Sequence, residues 1–484
     1  MVTSCGMERN PPPFRAFNLA DEAFSRTSGA ELVRGNRVRL LRDGAANYPA
    51  WLDAIGAARR WIHLETYMIH DDEVGRQFAD LLAKKAAEGV RVRLIYDWFG
   101  VFGRTSRRFW KRMTACGVEA RCFNPPLLDS PFSWLSRDHR KVLTVDGGIA
   151  YVSGLCIGKA WLGYPDRNID PWRDTGMEIE GPAVVSVDRA FAEAWASLGS
   201  PVDAEETDLQ SSVAGDVDVR VVASAPSTGG VYRLDQLIAT LARRSMWLSD
   251  AYFAGTSSYV NALRSAAEAG VDVRMLIPGA SDVLGARAIS RAGLRPLLES
   301  GVRVFEWSGP MMHAKTAVVD SSWARVGSTN LNLSSWIGNW ELDVVVENNE
   351  FAREMETMFL EDLQRSTEIV LGKGWRRPIA TRVPVPRRRR RSLREKTSGA
   401  GRAAAGVLRF GRTVEAAITR RRELGPAEAV VMLWGAGLLI GAAIITVIWP
   451  DIFHVTFLVL CLWIALSLIV QTIRLFIKGR RNSR

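Results

Sequence analysis

Two of the five histidines in this 484-residue chain open the same eight-residue pattern. His139-Arg140-Lys141-Val142-Leu143-Thr144-Val145-Asp146 reads H-x-K-x-x-x-x-D, and His313-Ala314-Lys315-Thr316-Ala317-Val318-Val319-Asp320 repeats it. Each copy continues into an apolar strand and a turn of small residues. Alternate side chains of a strand share a face. His139 and Lys141 therefore point into one site, as do His313 and Lys315, while Arg140 and Ala314 point away. An imidazole beside an ammonium suits phosphoryl chemistry: the lysine neutralises phosphate charge and the histidine serves as nucleophile or proton donor. Two such pairs on one substrate divide the labour. One histidine attacks phosphorus, and the other protonates the leaving oxygen and then activates the second acceptor.

The repeat extends beyond the motif. Met246-Trp247-Leu248-Ser249-Asp250-Ala251-Tyr252 answers Ile62–Tyr67, the segment Ala267–Met275 answers the one around Gly89, and Gly301-Val302-Arg303-Val304 answers Gly117–Ala120. A period a whole domain long is an internal duplication and not a solenoid. Within the first copy, helical spacing at 49–60, 75–88 and 107–116 alternates with strand patterns at 61–69, 90–96 and 118–123. Such alternation predicts helices packed around a mainly parallel-biased sheet.

The doubled H-x-K-x-x-x-x-D resembles the phospholipase D superfamily. Leu64-Glu65-Thr66-Tyr67, the run Gly89–Asp97 and Gly327-Ser328-Thr329-Asn330-Leu331-Asn332 are similar to the bacterial cardiolipin synthases of that superfamily, over about residues 36–370. The resemblance implies an α/β fold of two duplicated phospholipase D-like α/β/α sandwich halves. These would pack about a pseudo-two-fold axis that brings the His-Lys pairs together. The expected organisation is an N-terminal arm (1–35), a first half (36–200), a linker (201–216), a second half (217–371), a basic linker with an amphipathic helix (372–424) and a C-terminal transmembrane helical hairpin (425–484).

The predicted catalytic set is His139, Lys141, Asp146, His313, Lys315, Asp320, Asp174 and Glu341. Asp146 and Asp320 lie five residues past the lysines, on the opposite strand face, so a structural hydrogen-bonding role is expected of them. Asp174 and Glu341 occupy matching positions in the repeats. The family implies that such carboxylates bond the second imidazole nitrogen and fix the tautomer. Ser328, Asn330 and Gly154 are the predicted phosphate-binding residues. Family members commonly carry Asn where this chain has Cys156, and a thiol is a poor donor. Apolar loops at Pro125–Leu135 and Trp161–Tyr164 suit either a lipid interface or ordinary loop packing. No metal-ligand cluster and no phosphate-cradling glycine loop is present, so a metal-free mechanism without cofactors is expected.

The net charge of +11 is unevenly spread. Seventeen Lys or Arg stand against three Asp or Glu between Lys373 and Leu424, and the catalytic part is mildly acidic. That argues against nucleic acid as a partner and for an anionic membrane surface facing the tail. Five scattered cysteines, without C-x-x-C spacing, fit neither a disulfide framework nor a zinc site and suggest a reducing compartment. The N-terminus shows no signal-peptide core. Residues 427–449 and 453–473 are each long enough to span a bilayer, turning at Pro450-Asp451. Arginines precede the first span and basic residues follow the second, so both ends of the hairpin and the catalytic part are placed on the cytoplasmic face of a bacterial inner membrane.

The predicted activity is a membrane-bound phosphatidyltransferase working through a phosphohistidine. Its substrates would be phosphatidylglycerol and, in mixtures, phosphatidylethanolamine, giving cardiolipin and glycerol. The working order assigns the attack to His139 and the protonation to His313; the reverse order is equally compatible with the sequence. The alternatives are a phospholipase D releasing phosphatidic acid, a nuclease or other phosphodiesterase, and a catalytically silent membrane scaffold. The intact motifs count against the scaffold.

Overall fold

The computed structural model of the chain describes residues 14–126, 136–206, 212–283 and 290–371. The expected basic linker (372–424) and membrane hairpin (425–484) lie outside the described residues. Among the described residues, no helix is long and apolar enough to cross a membrane.

Fifteen strands form a single sheet. In chain order they are β1 (Leu32–Arg42), β2 (Trp61–Thr66), β3 (Arg91–Asp97), β4 (Glu119–Phe123), β5 (Lys141–Val145), β6 (Ile149–Ser153), β7 (Thr175–Glu180), β8 (Val217–Ser224), β9 (Ser245–Ser249), β10 (Asp272–Pro278), β11 (Arg303–Trp307), β12 (Thr316–Val319), β13 (Trp323–Gly327), β14 (Glu341–Glu347) and β15 (Ser366–Ile369). Across the sheet they run β15-β11-β10-β9-β12-β13-β14-β8-β1-β7-β6-β5-β2-β3-β4. Read outward from the β1–β8 pair, the two sides have the same plan, with β7, β6, β5, β2, β3 and β4 answered by β14, β13, β12, β9, β10 and β11. The duplication is thus a pseudo-two-fold about the antiparallel β1–β8 seam. The expected parallel bias is corrected. Only β2–β3, β3–β4, β9–β10 and β10–β11 are parallel. A parallel neighbour needs a long crossover, whereas β5–β6 and β12–β13 are joined by the short turns at Asp146 and Asp320.

Local chemistry explains the elements. Helix Glu73–Ala87 is capped by the Asp72 carboxylate, which accepts the Gly75 N–H at 3.0 Å, and it ends on Lys84 and Lys85 near the negative pole of its dipole. β2 is buried along its whole length, as befits a strand with both faces covered. Three large cores result. One lies in the first half around Trp51, Phe78 and Leu94, and one in the second around Tyr259, Leu263 and Trp336. The third is shared: Val142, Val152 and Met177 meet Val219, Val326 and Val344 under helices Ala183–Ser197 and Asn349–Gln364. Truncating Phe351 in this joint core would cost about 3–5 kcal/mol, the usual range for a buried phenylalanine.

Two segments read as loose connections are docked. The expected N-terminal arm contains helix Phe14–Ser28 and the start of β1. The buried Arg220 guanidinium on β8 donates to Asp21, to the Ser25 hydroxyl and to the Ala30 carbonyl, so the arm packs on the second half. In the expected linker, the turn Ala204–Glu206 buries Glu206 against His63 and Arg93. Hydrophobic periodicity does not report such polar anchors.

Candidate active site

His139 sits on the lead-in to β5 and Lys141 opens that strand, while His313 and Lys315 sit on the lead-in to β12. All four are buried. The lead-ins cross the seam. The backbone N–H of His139 donates to the Trp340 carbonyl at 2.9 Å, and that of His313 donates to the Arg173 carbonyl at 2.7 Å. The next residues, Glu341 and Asp174, carry carboxylates. His139 Nδ1 lies 2.9 Å from Glu341 Oε2, and His313 Nδ1 lies 2.7 Å from Asp174 Oδ2. Each histidine is therefore held by the carboxylate of the other half. The sequence paired imidazole with carboxylate but contained no sign of this exchange.

Charge fixes the protonation states. Burial lowers His139 to about 4, helped by Lys141 and Lys315 and opposed by Glu341. His313 is lowered by burial and by both lysines against Asp174. Burial pushes the Asp174 carboxyl up, but His313, Lys315 and the Trp161 indole outweigh it and leave it at about 2. Glu341 is likewise held below its usual range, as His139, Lys141 and Ser328 override burial. The resting site thus holds two neutral imidazoles, each donating Nδ1–H to a carboxylate, with the Nε2 lone pairs unprotonated. Burial and Lys141 bring the Lys315 ammonium down to about 8. Lys141 and Lys315 each donate to the carbonyl of their own histidine. Tyr67 sets its ring edge-on to His139 with centroids 5.2 Å apart, and Tyr252 does the same to His313 at 6.0 Å.

The predicted phosphate-binding residues divide. The Ser328 hydroxyl donates to Glu341 Oε2 at 2.6 Å, and its N–H is taken by the Leu342 carbonyl. The Gly154 N–H is taken by the Thr175 carbonyl, and a Cβ at Gly154 would come within 2.2 Å of Asp174 Oδ1. Both lie against the two carboxylates, Ser328 on Glu341 and Gly154 on Asp174. Asn330 is buried beside them: its Nδ2 donates to the Ser335 hydroxyl at 3.5 Å, and its Oδ1 has no hydrogen-bond partner among the described residues. Cys156 is fully buried.

Asp146 and Asp320 are outside the site. Asp146 accepts the N–H groups of Arg59, Arg60 and Trp61 at 2.7–2.9 Å. Asp320 accepts those of Arg243, Arg244 and Ser245 over the same range. Both take a left-handed backbone, φ 53° and 51°, at the turns closing β5 and β12. Counting them as catalytic is corrected; the structural role expected from their strand face is what the geometry displays.

Trp161 follows the loop-packing alternative and not the interfacial one. It is fully buried, and its indole N–H donates to Asp174 Oδ2 at 2.9 Å. Only Leu162 beside it is well exposed. Of the other predicted apolar loop, residues 127–135 lie outside the described residues. Trp161 gave no sequence signal as a site residue, because its partner is set by the fold. Arg173 was also passed over. Its buried guanidinium joins Asp362, Asp43 and Thr175, fastening the segment that carries Asp174 to helix Asn349–Gln364 of the other half.

A doubled His-Lys site built across an internal two-fold, with each imidazole oriented by a carboxylate, suits phosphodiester exchange. The chain belongs to the family described as cardiolipin synthase, PLD-like domain, whose model matches residues 51–170 and 236–363. Cardiolipin synthase 2 of Bacillus anthracis is 32% identical over 375 residues, spanning 76% of this chain and 71% of its own length. The cardiolipin synthase of Alkalihalophilus pseudofirmus is 32% identical over 356 residues, covering 72% and 70%. Among solved structures, phosphatidylserine synthase of Haemophilus influenzae superposes with a TM-score of 0.54 at 13% identity, over 72% of this chain and 91% of that one, a likeness of fold.

Proposed function

We propose that the chain is a phosphatidyltransferase of the cardiolipin synthase type, acting on phosphatidylglycerol. The crossed His139–Glu341 and His313–Asp174 pairs carry the reading, because they supply two imidazoles with bare Nε2 atoms beside two ammonium groups. A phosphodiester anion in the cleft sits against Lys141 and Lys315. Its charge also favours an imidazolium at one histidine, so substrate binding is accompanied by proton uptake, assigned to His313. His139 Nε2 then attacks phosphorus, the bond from phosphorus to the glycerol oxygen breaks, and that oxygen takes the His313 proton. A hydroxyl of a second phosphatidylglycerol gives its proton to His313 and attacks the phosphohistidine. The P–N bond breaks, releasing cardiolipin and regenerating neutral His139.

Residues 36–200 and 217–371 are the proposed halves. The apolar segments 427–449 and 453–473 are the proposed anchor, with the catalytic part on the cytoplasmic side of a bacterial inner membrane. The decisive experiment incubates the full chain with phosphatidylglycerol and a chelator, beside His139→Ala and His313→Ala. Cardiolipin and glycerol from the wild type alone are expected. Phosphatidic acid in their place would make water the acceptor and the protein a hydrolase. Absence of any product would refute both activities on this lipid.

A further inference from the structure

From Trp98 to Val118 the mildly acidic catalytic part has no Asp or Glu and five Lys or Arg. The stretch begins with the helical turn Trp98–Val101 and continues to helix Arg107–Ala115. On the turn, the Trp98 and Phe102 rings lie 4.9 Å apart, and Phe102 is 52% exposed, an unusual display for so large an apolar side chain. On the helix, Phe109 and Met113 face inward while Arg107, Arg108, Lys111 and Arg112 are exposed. Arg112 is held by Asp80. Arg107, Arg108 and Lys111 enter no ion pair among the described residues.

This stretch is fastened to the His139 side of the cleft. Asp97 accepts the Phe99 and Gly100 N–H groups through Oδ1 and the Asp138 N–H, next to His139, through Oδ2 at 3.0 Å. The Arg137 guanidinium lies over the Phe99 ring at 4.8 Å. A Cβ on Gly100 would strike the carbonyl of Tyr67, whose ring faces His139. The turn is thus packed against the backbone of the site, and whatever seats Phe102 is brought close to His139.

We propose that the Trp98–Phe102 turn and helix Arg107–Ala115 form a docking surface for an anionic lipid bilayer, holding the cleft at the level of lipid headgroups. Aromatic side chains favour the interface and cations favour anionic headgroups; unpaired cations following an exposed Phe102 that packs on a half-buried Trp98 supply both. This rests on the phosphatidylglycerol reading and gives a contact separate from the C-terminal anchor.

The test places a dansyl amino acid at position 102 of the full chain, with a second sample carrying it at Leu241, an exposed site in the second half. Each is reconstituted with phosphatidylglycerol or phosphatidylcholine vesicles containing a nitroxide lipid. Blue-shifted, quenched emission is expected at 102 with phosphatidylglycerol, and little change at 241. In mixed vesicles, joint substitution R107Q, R108Q and K111Q should raise the phosphatidylglycerol fraction needed for half-maximal quenching at least fivefold, since one cation near an anionic surface is worth about fivefold in binding. Solvent-like emission at 102 in samples that make cardiolipin would overturn the docking surface and leave the activity standing. A lipid-independent blue shift growing with protein concentration would also overturn it, assigning the patch to a second copy of the chain. Lipid contact at 102 without cardiolipin formation would support the surface and sink the transferase reading.

Discussion

Replacing Glu341 by Gln probes the crossed geometry with little change of shape. Glu341 Oε2 accepts from both His139 Nδ1 and the Ser328 hydroxyl, and it is fully buried. A carboxamide has one acceptor oxygen. If that oxygen faces His139, the charge that steadies the developing imidazolium is gone, a loss of about 1.5–3 kcal/mol for a hydrogen bond to a charged group. If the amide nitrogen faces His139, Nδ1 must become the acceptor and the proton moves to Nε2, the attacking atom. At 1.36 kcal/mol per decade, the first case costs roughly 10–10² in kcat, and the wrong tautomer takes the loss toward about 10⁴. The assay is cardiolipin formation from detergent-dispersed phosphatidylglycerol, with thermal unfolding as the check on folding. The crossing adds a sharper demand. In a double-mutant cycle, E341Q should cost almost nothing more once His139 is already alanine, because the carboxylate acts through that imidazole. A folded E341Q enzyme within threefold of wild type, or full additivity with H139A, would refute the assignment.

Asp174→Asn should lower kcat by a similar factor with phosphatidylglycerol, but much less with a p-nitrophenyl phosphodiester, whose leaving group needs no proton from His313; equal losses on both substrates would count against the division of roles. With Lys315 at about 8, kcat/KM should fall as pH rises through that value, as the phosphate-neutralising charge is lost; a profile flat to pH 10 would contradict it. The unfolded chain protonates His139 near 6.5 and the folded chain only near 4, so the unfolded state binds more protons in between. Stability should therefore drop as pH falls from 6.5 to 4, by on the order of 3 kcal/mol from His139, read as the urea midpoint against pH. Asp320→Ala strips three backbone N–H groups of their acceptor and should cost about 1–3 kcal/mol of stability, with kcat of the folded fraction nearly unchanged.

The sequence by itself determined the chemistry and the duplication. Histidine and lysine two residues apart, occurring twice, named the groups proposed to react, because alternate residues on an extended chain must share a face. The same parity rule removed Asp146 and Asp320 from the reacting centre. The internal repeat paired Asp174 with Glu341 as equivalent positions. The tertiary structure alone decided which carboxylate serves which histidine. That depends on β1 and β8 meeting at the seam, so that the residue before Glu341 bonds the His139 backbone and the residue before Asp174 bonds that of His313. Burial was equally invisible: Trp161 reads as an interfacial aromatic until the fold sets its indole against Asp174, and Ser328 reads as a phosphate ligand until β14 brings Glu341 to its hydroxyl. Periodicity reports local geometry. The partners of these polar side chains lie on other elements, 13 residues away for Trp161 and Ser328 and more than a hundred for His139 and His313, and only packing chooses them.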